Sequence, residues 1–181
     1  MDLLKHLTQL SNLLDDGGKL FLVIPDKRVT FDHFRPLSTL SDIIATNLES
    51  PTVHSLRSVI EFDCESVDNV SIFEHMAGSH GQRNIMRHQS AAKKAEGKDK
   101  DEKETSFSNE CVQDSIWRFV EADGAYLDIH RWVWTDQWFL ELIDSLNKLD
   151  LLSLKIDMLY PTHERNSNIY VVMSNSGTSS K

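Results

Sequence analysis

Leu3, Leu4, Leu7, Leu10, Leu13 and Leu14 recur at steps of three and four, which lays one apolar stripe along a helix. Asp15, Asp16, Gly17 and Gly18 then stop it, because glycine accepts the left-handed backbone of a helix C-terminus. Leu20 to Ile24 is apolar at every position, where a strand wetted on one face would alternate. The run therefore predicts a parallel strand covered on both sides, ended by Pro25. Thr39 with Asp42 forms a capping box for a short helix carrying Leu40, Ile43, Ile44 and Leu48. Val53, Leu56, Val59 and Ile60 point to another helix, as do Val70 and Phe73.

Val112, Ile116, Phe119 and Val120 share one helical face, with Gly124 as its stop. Thr135 caps a helix whose stripe is Phe139, Leu142, Ile143, Leu146 and Leu149. Leu154, Ile156 and Met158 alternate with Lys155 and Asp157, as in a half-buried strand. Asn168 to Ser174 reads as a second strand across the connection YPTHERNS. The order is helix, buried strand, long helical excursion, helix, strand, strand: an α/β fold with an antiparallel pair at its end.

At 181 residues the chain suits one domain, 1–174, with a helical insertion at 38–124 and a disordered tail at 175–181. Within the insertion, KKAEGKDKDEKE at 93–104 reads as a solvated charged loop. Lys and Arg number 19 against 28 Asp and Glu, a formal charge of −9, which argues against nucleic acid as the main partner. Cys64 and Cys111 are too few for a disulfide framework and sit in no CxxC pair, so a reduced cytoplasmic protein is expected. The N-terminus lacks the apolar core of a signal peptide, and no run is long enough to span a membrane.

Two stretches carry a resemblance. PDKRVTFDHFRP, Pro25 to Pro36, resembles a PDxRxTFDxxRP-like run in a bacterial subgroup of class I S-adenosylmethionine-dependent methyltransferases, often tied to polysaccharide biosynthesis. YLDIHRWVWT, Tyr126 to Thr135, is similar to the same subgroup's D-x-H-x-W-x-(F/W)-T segment, and YPTHERNSNIYVVM to its last two strands. The resemblance implies a partial Rossmann-like methyltransferase fold, strands five to seven, with S-adenosylmethionine as cofactor and a small-molecule or saccharide-linked acceptor. The family's glycine-rich loop follows its first strand, whereas this chain has no GxG, and its one glycine pair precedes a strand. The expectation is a truncated, acceptor-side half without its cofactor cradle. The alternative is a non-catalytic module that associates, with itself or with a complementing chain, through the exposed sheet edge.

His130 is the candidate general base, because an imidazole exchanges a proton near neutral pH and a carboxylate orients it. Asp128 falls on the same side of an extended segment. Asp26, Arg28, Asp32, His33 and Arg35 follow the carboxyl end of a strand, where α/β sheets bind ligands. They line an acceptor pocket or, in the structural reading, form an ion-pair network that fixes the loop. Trp132 stacks on a flat ligand or packs in the core. His75, His80 and His88 cluster near Glu74 without an HExxH pattern, so no metal site is expected.

Overall fold

A computed structural model describes residues 2–67, 109–163 and 166–175, together with Glu74 and Ala77. The expectations for Val70, Phe73, the three clustered histidines, the 93–104 loop and the tail beyond Asn175 fall outside these residues. The described elements are α1 (Leu3–Asn12), β1 (Leu20–Pro25), a 3₁₀ turn (Lys27–Val29), α2 (Leu40–Glu49) and α3 (Leu56–Glu65). They continue with α4 (Asn109–Ala122), α5 (Asp136–Lys148), β2 (Leu154–Tyr160) and β3 (Asn168–Asn175).

Local chemistry sets the boundaries. Asp2 caps α1 by accepting from the Lys5 amide at 2.9 Å, and Gly17 turns the chain at φ +78°. The expected capping box is present: Thr39 Oγ1 accepts from the Asp42 amide at 3.1 Å, and the Thr39 amide donates to Asp42 Oδ2 at 3.1 Å. Thr135 likewise caps α5 through the Trp138 amide at 3.3 Å.

The sheet departs from the sequence reading. Its order is β1-β3-β2, with β3 antiparallel to both neighbours; Leu20 faces Met173, and Ile24 faces Ile169. β1 is thus not a parallel strand covered on both sides. One face of the sheet, Leu22, Ile24, Leu154, Ile169, Val171 and Met173, packs against Leu4 and Leu7 of α1 and Phe139, Leu142 and Leu146 of α5. The other face is open: Phe21, opposite Val172, is 72% exposed, and Val23, opposite Tyr170, is 59% exposed. The apolar run of β1 thus reflects its composition and not double coverage.

In β2 the alternation breaks at Asp157, where an irregularity separates the Ile156–Met173 pair from the Met158–Val172 pair. That bulge carries Met158 from the core face to the open one. The stripe expected on α4 also turns out differently: Ile116 and Val120 are exposed, and the buried positions are Cys111 and Ser115. Leu149, expected to close the stripe of α5, is exposed as well.

A second, smaller core lies under the excursion, where Val59 and Phe62 of α3 meet Ile129, Phe31 and Phe119. The cysteines are not reduced: Cys64 of α3 and Cys111 of α4 form a disulfide. A pair separated by 47 residues in sequence shows no spacing signal, so only the packing of two helices reveals it.

His54, between α2 and α3, is 7% exposed, and its Nδ1 has no hydrogen-bond partner. Burial, reinforced by the charges of Arg131 and Arg35, pushes its pKa below the ordinary 6.5. Between that lowered value and 6.5 the unfolded chain binds more protons than the folded one, so His54 costs stability as pH falls through this window. His54→Gln is expected to flatten the pH dependence of the unfolding midpoint between ~pH 7 and ~pH 5. Denaturant titrations of both proteins check this; identical slopes would show that His54 protonates freely in the folded state.

Candidate functional site

The turn after β1 is tied down by Asp26, whose side chain is fully buried. Its carboxylate accepts from the Arg28 amide at 2.9 Å and from Thr162 Oγ1 at 2.8 Å, while the Asp26 amide donates to the Ser167 carbonyl at 2.9 Å. Arg28 lies between Asp26 and Asp136, and the hydrogen bond to Asp26 raises its pKa. These two residues bind the turn to α5 and to the β2–β3 connection. The Asp26 carboxylate and the Nε and Nη2 of Arg28 are engaged in holding the turn. His33 Nδ1 lies 2.9 Å from the Arg28 carbonyl and contacts the Phe34 ring edge-on. Lys27 reaches the Arg35 carbonyl, and burial lowers its pKa against the pull of nearby carboxylates.

The next link faces the other way. Asp32 and Arg35 are 2% and 1% exposed, and Arg35 Nη1 donates to Asp32 Oδ1 at 2.7 Å. The second carboxylate oxygen, Oδ2, lies 3.0 Å from His130 Nδ1, from a segment 98 residues further on. In the tautomer that donates Nδ1–H to Asp32, Nε2 keeps its lone pair. The imidazole packs against Phe31, with ring centroids 4.5 Å apart, and its side chain stays 46% exposed. A buried carboxylate braced by a guanidinium thus orients a histidine at the surface. This arrangement suits proton abstraction.

His130 opens onto a cleft of about 520 Å³, lined also by Asp128, Ile129, Phe31, Phe62, Asp63 and Arg118. Of the sequence candidates, His130 and Asp128 share this cleft, and Asp32 stands behind it with Arg35. Asp26, Arg28, His33 and Trp132 do not line it. The carboxylate seen on His130 is that of Asp32, where the sequence reading had paired it with Asp128. Trp132 lies nearly parallel to Trp134, with centroids 6.4 Å apart, and under the Arg131 guanidinium at 4.9 Å.

Sequence reasoning missed Phe62, Asp63 and Arg118. Asp63 is fully buried and ion-paired to Arg118 across 55 positions, and its Oδ2 has no partner. No motif surrounds either residue, so the folding of α3 onto α4 is the only sign of the pair. Among the described residues no group of three potential ligands is placed to hold a metal ion, and no helix is long and apolar enough to cross a membrane. No protein-family model, curated protein or solved structure matches the chain.

Proposed function

We propose that this chain is the acceptor side of a class I S-adenosylmethionine-dependent methyltransferase, acting on a hydroxyl of a small or saccharide-linked acceptor. The observation that carries the reading is the Asp32–His130 hydrogen bond. It joins the two stretches that resemble the family, far apart in sequence, at the turn after β1.

The described residues do not by themselves fit the cofactor. Gly17 precedes β1 and Gly124 follows α4, so no glycine-rich turn stands at the carboxyl end of a strand. Cofactor contact falls to residues outside the described ones or to a complementing chain. What these residues contribute is local: His130 Nε2 takes the acceptor's hydroxyl proton while Asp32 holds Nδ1–H and stabilises the imidazolium. Arg118 and Asp128 on the cleft wall supply a donor and an acceptor for acceptor hydroxyls.

A second reading rests on the open sheet face. Phe21, Val23, Met158 and Tyr160 are each at least half exposed, and apolar area of this kind marks an association surface. In this reading the chain is a non-catalytic module that covers the face by pairing.

Transfer of labelled methyl from S-adenosylmethionine into a saccharide extract, by the full gene product that contains this chain, separates the two. Transfer is expected, and His130→Gln is expected to lower it by about 10²–10⁴-fold with the fold intact by circular dichroism. Transfer that survives His130→Gln would remove the histidine from the mechanism. No transfer by folded protein, with concentration-dependent association, would overturn the first reading in favour of the second.

A further inference from the structure

The two edges of the sheet are not alike. At the β2 edge the strand carries the charges of Lys155 and Asp157, and an irregularity between Ile156 and Met158 interrupts its ladder. Charges and bulges of this kind keep an edge from pairing. The β1 edge has neither. From Leu20 to Pro25 no residue is charged, and among the described residues no strand lies beyond it.

The register shows which backbone groups this edge presents. One step beyond the Pro25–Asn168 pair, the Asp26 amide donates to the Ser167 carbonyl at 2.9 Å. In an antiparallel ladder every second residue bonds to the neighbouring strand, so Leu20, Leu22 and Ile24 bond to β3, while Phe21, Val23 and Pro25 turn their backbone groups outward. Pro25, which has no N–H to give, falls on the outward side, where a strand tolerates proline. The core stops short here as well. Ile169, Val171 and Met173 of β3 are at most 1% exposed, while Leu20, Leu22 and Ile24 beside them are only partly buried against the same core.

We infer that β1 pairs with the β1 strand of a second copy of this chain, antiparallel about a two-fold axis at Leu22. The strand's own pattern singles out a copy. Residues opposite one another in a sheet share a face, so the axis falls on a residue and not between two; otherwise core side chains would meet open-face ones. At Leu22, the middle of residues 20–24, the axis sets Leu20 against Ile24 of the second copy on the core side and Phe21 against Val23 on the open side. Phe21 and Val23 are the residues whose amides and carbonyls both point outward, so each such pair exchanges its hydrogen bonds in both directions. No charges oppose one another along the strand, which lets two chains of formal charge −9 meet there. The contact is self-complementary, joins two three-stranded sheets into one and covers the half-wetted Leu20, Leu22 and Ile24. It holds whichever of the two readings of the chain is right, because no residue lining the His130 cleft lies in β1.

Sedimentation of the full chain, together with cysteine trapping, tests this. A dimer is expected at micromolar concentration. Leu22→Cys is expected to give a disulfide-linked dimer with oxidised glutathione as the oxidant, since Cα atoms in a non-hydrogen-bonded pair lie ~4.5 Å apart. Ile24→Cys alone is expected not to crosslink, whereas its mixture with Leu20→Cys is. Val23→Pro removes an outward N–H and no bond to β3, and is expected to weaken association about tenfold or more. Tyr160→Lys, on the open face of β2, is expected to leave association unchanged. The trapping variants keep the test informative if Val23→Pro fails to fold. A monomer would overturn the inference and leave the edge to a strand of a different protein. A dimer broken by Tyr160→Lys but not by Val23→Pro would overturn it in favour of contact through the open face, and Ile24→Cys crosslinking as readily as Leu22→Cys would overturn the register.

Discussion

Replacing Asp32 by alanine is expected to cost about 3–5 kcal/mol of stability, because it strands a buried cation. Arg35 is 1% exposed, and Asp32 is the carboxylate it meets at 2.7 Å. His130 loses its orienting acceptor in the same step. The companion variant Asp32→Leu with Arg35→Met removes both charges and is expected to recover much of the loss, since buried pairs cost desolvation as well as gaining attraction. Urea unfolding of the two variants checks this through the midpoint at constant slope. A single variant as stable as the parent would mean that Arg35 finds solvent, and that the buried brace behind His130 does not exist.

Removing the disulfide is the other large effect. Cys64 and Cys111 close a loop of 47 residues, for which the chain-entropy estimate is about 4 kcal/mol. The loss is expected to centre on α4, which leans mainly on α3 and exposes Trp117 and Val120 on its outer side. Arg118 lies on the same helix, so reduction is expected to loosen the Asp63–Arg118 pair in the wall of the His130 cleft. Unfolding with and without dithiothreitol, and of Cys64→Ser with Cys111→Ser, reads the effect. Unchanged midpoints would show that packing alone holds the two helices.

Which features could be read in the chain follows from the range of the forces that make them. Caps were legible, since Thr39 with Asp42 and Thr135 act on atoms within a turn of themselves, whereas α1 ends at Asn12 with Leu13 as its cap, before the Gly17 expected to stop it. So were α5 and the pair β2 and β3, whose periodicities are strong. The direction of β1 was not, since Leu20 to Ile24 looks the same whether its neighbour runs parallel or antiparallel. The exposure of Phe21 and Val23 depends on which elements are there to cover them. His130 was singled out by its chemistry, but the carboxylate that meets it is Asp32, not the Asp128 expected. Asp128 is near in sequence, whereas Asp32 is near in space because two loops meet. Arg118 and Asp63 carried no sequence signal, as their pairing depends on how the excursion folds back.

The placement of β3 between β1 and β2 sets the order in which the sheet can assemble. β2 and β3 are joined by a short connection and can zip as a hairpin, but among the described residues β1 pairs with β3 alone. β1 and β3 lie far apart in sequence, and such non-local closure is slow. During synthesis Leu20 to Pro25 must wait until Met173 has emerged before its backbone is paired. Over that interval an apolar strand is open to other chains, and a nascent-chain chaperone or slow handling at low temperature would matter most there.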